Sequence, residues 1–133
     1  MLERINPTTT QAWFVLKKHF EDEMSRKHMR DLFAADEKRF ETYSISTHDL
    51  LFDYSKNIIT DKTKQLLLQL ANECALKEAI DAQFSGQSIN ETENRAVLHT
   101  ALRNFKDAPV LVDGADVMPE IKRVLKQMKT FCT

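Results

Sequence analysis

The stretch that decides the fold runs from Phe84 to Asn104 and has the sequence FSGQSINETENRAVLHTALRN. Gly86 predicts the end of the helix before it, because glycine enters the left-handed conformation that closes many helices without a steric penalty. Asn90, with Glu93 three residues later, resembles a capping box and predicts the start of a further helix. The apolar residues that follow recur at helical spacing and predict one buried face. They are Val97, Leu98, Ala101, Leu102 and Phe105.

Three basic side chains share a neighbouring face of this predicted central helix. Arg95, His99 and Arg103 are four residues apart, which predicts a basic stripe beside the buried face. We expect a structural role for His99, bonded to a backbone carbonyl or a carboxylate. The two arginines could serve as an anion platform, or they could pair with Glu91 and Asp107.

The chain before this stretch alternates helical and extended patterns. Asn6-Pro7 predicts a helix opening. Tyr43, Ile45 and Thr47 then alternate with Ser44 and Ser46, and Leu51-Phe52-Asp53-Tyr54 follows after Thr47-His48-Asp49, which predicts two short strands with a polar turn. Thr60 predicts a second helix cap. The first helix has the predicted inner face Ala12, Trp13, Leu16, Phe20 and Met24. A shorter helical piece includes Met29, Leu32 and Phe33, and Asp36 is predicted to cap a further turn. The helix that begins at Thr60 has the inner face Leu66, Leu67, Leu70, Ala71 and Cys74, and the next helix has Leu76, Ala79, Ile80 and Phe84.

The chain after the central stretch predicts one hairpin and one helix. Asp113-Gly114 lies between short apolar runs, which is a strong hairpin signal. Pro119 then opens a helix with Ile121, Val124, Leu125 and Met128 at helical spacing. Two glycines and three prolines are too few for a linker. We therefore predict a mainly α fold with two small β ribbons (α+β), forming one unit over residues 1–133.

Composition excludes several classes of function. The 133 residues are 42% hydrophobic and carry a formal net charge of −1, which is ordinary for a globular protein and gives no field toward nucleic acid or an anionic membrane. No apolar run approaches the roughly 18 residues of a membrane-spanning helix, and the first residues lack the apolar core of a signal peptide. We expect a cytoplasmic protein.

The two cysteines indicate neither a zinc site nor a redox motif. Cys74 and Cys132 belong to no C-x-x-C pair and to no cysteine–histidine cluster. We expect two buried or half-buried free thiols in a reducing cytosol.

The residues alone indicate little catalytic chemistry. Phe84-Ser85-Gly86 lacks the frame of a nucleophile elbow, and two glycines cannot build a glycine-rich phosphate cradle. Glu21-Asp22-Glu23 and Asp36-Glu37 are expected on solvated faces. His19, His28 and His48 have no metal-binding spacing and are expected at the surface. We therefore assign no catalytic, cofactor-binding or metal-binding residue.

Several motifs nevertheless resemble one enzyme family, that of glucose-6-phosphate isomerase. The resemblance is strongest over Ile89–Asn104 and continues through Pro109–Gly114 and Asp116–Glu120. It also includes Asp31–Ala34 and Asp53–Asn57, so it covers nearly the whole chain in order. Glu37 and Thr100 depart from residues that are common in the family, and we interpret both as ordinary drift.

The resemblance implies an amino-terminal helical segment of a sugar-isomerase (SIS) α/β enzyme. The family interconverts glucose 6-phosphate and fructose 6-phosphate in glycolysis and gluconeogenesis, as a homodimer and without metal or cofactor. Its catalytic and phosphate-binding motifs lie in two sugar-isomerase domains that are absent from residues 1–133. The resemblance therefore implies partners in the rest of the isomerase chain and a second subunit, and an inactive segment when alone.

Two other interpretations stay open at this point. A free-standing helical protein-interaction module without catalysis would also have apolar helix faces and a nearly neutral charge. Nucleic-acid binding through Arg95, His99 and Arg103 is disfavoured, because no other part of the chain supplies a basic surface.

Overall fold

Side-chain caps begin the first helical elements. In the computed structural model, which describes residues 3–106 and 108–132, Asn6 Oδ1 accepts a backbone N–H and caps a 3-10 turn at Pro7–Thr9. Thr10 Oγ1 accepts the Trp13 backbone N–H at 3.2 Å and begins α1, Gln11–Asp22. The predicted helix is confirmed, but Thr10 and not Asn6 caps it.

The elements form two compact units, Asn6–Cys74 and Met1–Ile5 with Ala75–Thr133. Each is described by itself below. The single unit expected over residues 1–133 stays a prediction.

The unit Asn6–Cys74 consists of four helices and one ribbon. After a 3-10 turn at Met24–Arg26 follow α2 (Met29–Ala35), α3 (Arg39–Thr42), β1 (Ser44–Thr47), β2 (Leu50–Asp53) and α4 (Asp61–Glu73). Thr60 begins α4 as predicted, through a reciprocal capping box with Thr63. Asp36 Oδ1 accepts the Lys38 backbone N–H at 3.0 Å, so it caps the turn that leads into α3.

Helix α1 packs against α4, and a polar pair occupies part of this contact. His19 and Thr63 are buried where the sequence predicted Phe20 and Leu67, which are both exposed. Ala12 and Leu66 are buried as predicted, so the predicted inner faces are confirmed in part and are wrong at Phe20 and Leu67. Since the hydrogen bond between His19 Nε2 and Thr63 Oγ1 satisfies a polar atom on each side, this pair can occupy the contact in place of apolar residues.

The ribbon of β1 and β2 confirms the predicted strands. It is antiparallel, with Ile45 opposite Phe52 and Thr47 opposite Leu50. Because side chains alternate across a ribbon, these four residues share one face. Ile45, Leu50 and Phe52 are all exposed on it.

In the second unit, α5 (Leu76–Phe84) is confirmed but its predicted inner face is wrong. Ala82 is the buried residue, whereas Leu76, Ile80 and Phe84 are exposed. The helix ends before Gly86, whose φ of +82° is the predicted left-handed closure. A Cβ at Gly86 would lie 2.6 Å from the Leu111 carbonyl oxygen. The absence of a side chain at Gly86 therefore allows its backbone to approach that of Leu111 closely.

The predicted central helix is wrong. Asn90 and Arg95 form an isolated antiparallel bridge around a turn, and the only helical piece described in residues 90–105 is a 3-10 turn at Ala101–Arg103. One expected bond forms, from the Glu93 backbone N–H to Asn90 Oδ1, but Glu93 Oε2 accepts from Asn90 Nδ2 and the Asn90 backbone N–H donates to Arg95. Asn94, with φ of +49°, then turns the chain back instead of continuing a helix.

A hairpin and a long helix complete this unit and confirm the predictions for both. β3 (Leu111–Val112) pairs with β4 (Ala115–Asp116) across Asp113 and Gly114, which both have positive φ as a type I′ turn requires. Helix α6, Met118–Cys132, follows directly. The core joins Ala101, Val110 and Met118, with Leu98, Val117 and Ile121 against it. The fold is mainly α with two small antiparallel ribbons, as predicted.

Candidate functional site

The three basic residues that the sequence placed on one stripe do not form a stripe. Without the central helix, Arg95 forms an ion pair with Glu93, and Arg103 Nη1 donates to the His99 carbonyl oxygen at 3.1 Å. The His99 side chain is exposed. The hydrogen bond from Arg103 is accepted by the His99 backbone carbonyl and not by its imidazole. Glu91 pairs with Arg4, and Asp107 lies outside the described residues.

His19 is the one histidine of the predicted surface set that is buried. It is 4% exposed, and its Nε2 lies 2.9 Å from Thr63 Oγ1. Since Thr63 Oγ1 accepts the Thr60 backbone N–H, its hydroxyl hydrogen is available for the imidazole. His28 and His48 are exposed as predicted, and His28 Nδ1 caps α2.

A carboxylate faces the other ring nitrogen of His19. Glu23 Oε2 lies 3.5 Å from Nδ1, which makes no shorter hydrogen bond. The ammonium of Lys62 bonds to Glu23 and lowers the pKa of that carboxyl. The order carboxylate, imidazole, hydroxyl matches that of a catalytic triad, but Thr63 is buried and its hydroxyl caps α4. The arrangement joins α1 to α4.

Arg39 is a buried cation that the sequence analysis did not single out. It is 2% exposed, and its guanidinium donates to the carbonyl oxygens of Ser55 at 2.8 Å, Asn57 at 2.8 Å and Ile59 at 3.0 Å. It also lies 4.5 Å from the centroid of the Tyr43 ring. Arg39 therefore fixes the loop between β2 and α4, and its donors are directed at protein carbonyls.

The same loop contains the motif Asp53-Tyr54-Ser55-Lys56-Asn57 that contributed to the resemblance. Asp53 accepts hydrogen bonds from Lys56 Nζ at 2.5 Å, Ser55 Oγ at 2.6 Å and the Ser55 backbone N–H at 2.9 Å. The Lys56 bond, followed by the Ser55 bonds, lowers the pKa of Asp53 to about 2. The polar groups of this motif therefore bond to one another and form a turn.

The remaining carboxylates of α1 lie at the surface, and the two cysteines differ in burial. The carboxylates of Glu21 and Asp22 pair with Lys17 and Lys18 on the solvated side of α1. Cys74 is half-buried as expected, but Cys132 is exposed, since it lies in the last turn of α6 away from the core. Both are free thiols.

The described residues contain no metal-ligating group, and both glycines have local structural roles. Within residues 3–106 and 108–132, no three His, Cys, Asp or Glu side chains are grouped to hold a metal ion. Gly86 closes α5 and Gly114 forms the hairpin turn. Across those same ranges no helix has the length and apolar character needed to cross a membrane.

The most prominent functional feature is exposed apolar surface. A groove of about 330 Å³ beside α1 is lined by Trp13, Leu16, Phe20, Met24 and Ile58, with His19 and Thr63 among its walls. The ribbon exposes Ile45, Leu50 and Phe52, and α6 exposes Val124, Leu125 and Met128. Contiguous exposed apolar surface usually marks contact with other protein. These surfaces are therefore the candidate functional sites of this chain.

Comparisons with known proteins agree with the sequence motifs. A family model described as phosphoglucose isomerase matches residues 53–133. The glucose-6-phosphate isomerase of Wigglesworthia glossinidia brevipalpis is 52% identical over 133 residues, an alignment that covers 99% of this chain and 24% of that relative. The chain thus spans about a quarter of the length of this curated relative.

Proposed function

This chain belongs to the phosphoglucose isomerase family, and we propose that it supplies the amino-terminal structural quarter of an isomerase that interconverts glucose 6-phosphate and fructose 6-phosphate. The observation that carries the proposal is 52% identity sustained over 99% of the chain. Identity of this extent supports a shared fold and a shared position in the enzyme.

The proposed contribution of this quarter is structure and not chemistry. Aldose–ketose isomerisation needs a base beside the C1–C2 bond, an acid that opens the ring and donors that hold the phosphate. In the described residues, the buried polar groups His19 and Arg39 are bonded to protein partners. We therefore assign base, acid and phosphate donors to the sugar-isomerase domains of the complete enzyme, and no catalytic residue to this chain.

We further propose the cellular setting that the family resemblance implies. The complete enzyme would act in the cytoplasm, in glycolysis and gluconeogenesis, as a homodimer without metal or organic cofactor. Its partners would be the rest of its own chain, a second subunit and a sugar phosphate. An interaction module without catalysis would also fit the exposed apolar surfaces, but it would not account for the identity to an isomerase.

An exchange enzyme tests this proposal. The matching quarter of the Wigglesworthia isomerase is replaced by this chain, and turnover of fructose 6-phosphate is compared with that of the unmodified relative. We expect a folded enzyme with turnover within about tenfold of the relative, because the exchanged part would pack but not react. The same enzyme lacking this quarter is the control and should be inactive. An inactive exchange enzyme beside an active relative would contradict the proposal.

A further inference from the structure

We draw no further inference here: the strongest candidate, the apolar groove beside α1 that is lined by Trp13, Leu16, Phe20, Met24 and Ile58, carries none, because nothing in the structure shows what covers it.

Discussion

Nε2 of His19 on α1 lies 2.9 Å from Oγ1 of Thr63 on α4, and both residues are buried. This bond crosses 44 positions of sequence and joins the two longest helices of the Asn6–Cys74 unit. It stabilises the contact only while both polar partners are present, because a buried polar group without a partner is costly.

Replacing Thr63 by Val should therefore destabilise the protein. The variant keeps the shape of the side chain but removes the partner of His19 and the bond from the Thr60 backbone N–H. We expect a loss of about 1–3 kcal/mol in the free energy of unfolding, measured by urea denaturation. Thr92→Val, at an exposed position, is the control. Equal midpoints for the two variants would show that the His19 bond contributes nothing.

Replacing Arg39 by Lys tests the anchor of the loop between β2 and α4. Lysine keeps the charge but cannot reach the carbonyls of Ser55, Asn57 and Ile59 together, since it lacks the planar fork of donors. We expect a loss of about 2–4 kcal/mol, because a buried cation would remain incompletely bonded. Arg30→Lys on the exposed surface of α2 should change stability by less than about 0.5 kcal/mol. A similar effect of both substitutions would contradict the anchoring role.

The two glycines offer a matched comparison of strain. Both have φ near +80°, but a Cβ would lie 2.6 Å from the Leu111 carbonyl at Gly86 and would have nothing within 4 Å at Gly114. Gly114→Ala should lower the free energy of unfolding by about 1–2 kcal/mol, because alanine would have to adopt the left-handed conformation. Gly86→Ala should lower the free energy of unfolding by clearly more, because the backbone at Leu111 would also have to move away from the new Cβ. Urea denaturation that ranks Gly114→Ala as the more harmful would refute this packing.

Acid should weaken the turn built on Asp53. Its pKa falls from 3.8 to about 2 in the folded protein, chiefly through the Lys56 bond and then the Ser55 bonds. The contribution of Asp53 to stability is therefore fully present above about pH 4 and is lost as the pH falls through about 2. The Tm difference between the parent chain and Asp53→Asn should shrink over that range, whereas Asp49→Asn serves as the control. A difference that is constant from pH 5 to pH 2 would contradict the assignment.

The local part of this fold was predictable from sequence. Thr60, Asp113-Gly114 and Pro119 each act through a few neighbouring residues, so a capping box, a type I′ turn and a helix start follow from the residues themselves. The bond from the Glu93 backbone N–H to Asn90 Oδ1 was also predicted, but this bond fits both a helix start and a closed turn. The left-handed Asn94 and the bridge to Arg95 decided between them.

The distant contacts were not predictable. The burial of His19 depends on Thr63, and that of Arg39 depends on carbonyls at positions 55, 57 and 59. Arginine usually lies at the surface and histidine is intermediate in burial, and here tertiary partners bury both. Phe20 lies next to His19 in α1 and is exposed, whereas Leu67 is exposed at the edge of the face that carries Thr63 and Leu66.

The central claim is that this chain contributes structure and no chemistry, and turnover by the isolated chain tests it most directly. The 133-residue chain is purified from a host whose own glucose-6-phosphate isomerase gene is deleted, and it is given fructose 6-phosphate in a coupled assay for glucose 6-phosphate. We predict a rate equal to the no-enzyme baseline, while the exchange enzyme under the same conditions turns over. A rate above baseline that co-purifies with the chain and rises in proportion to its concentration would contradict the claim.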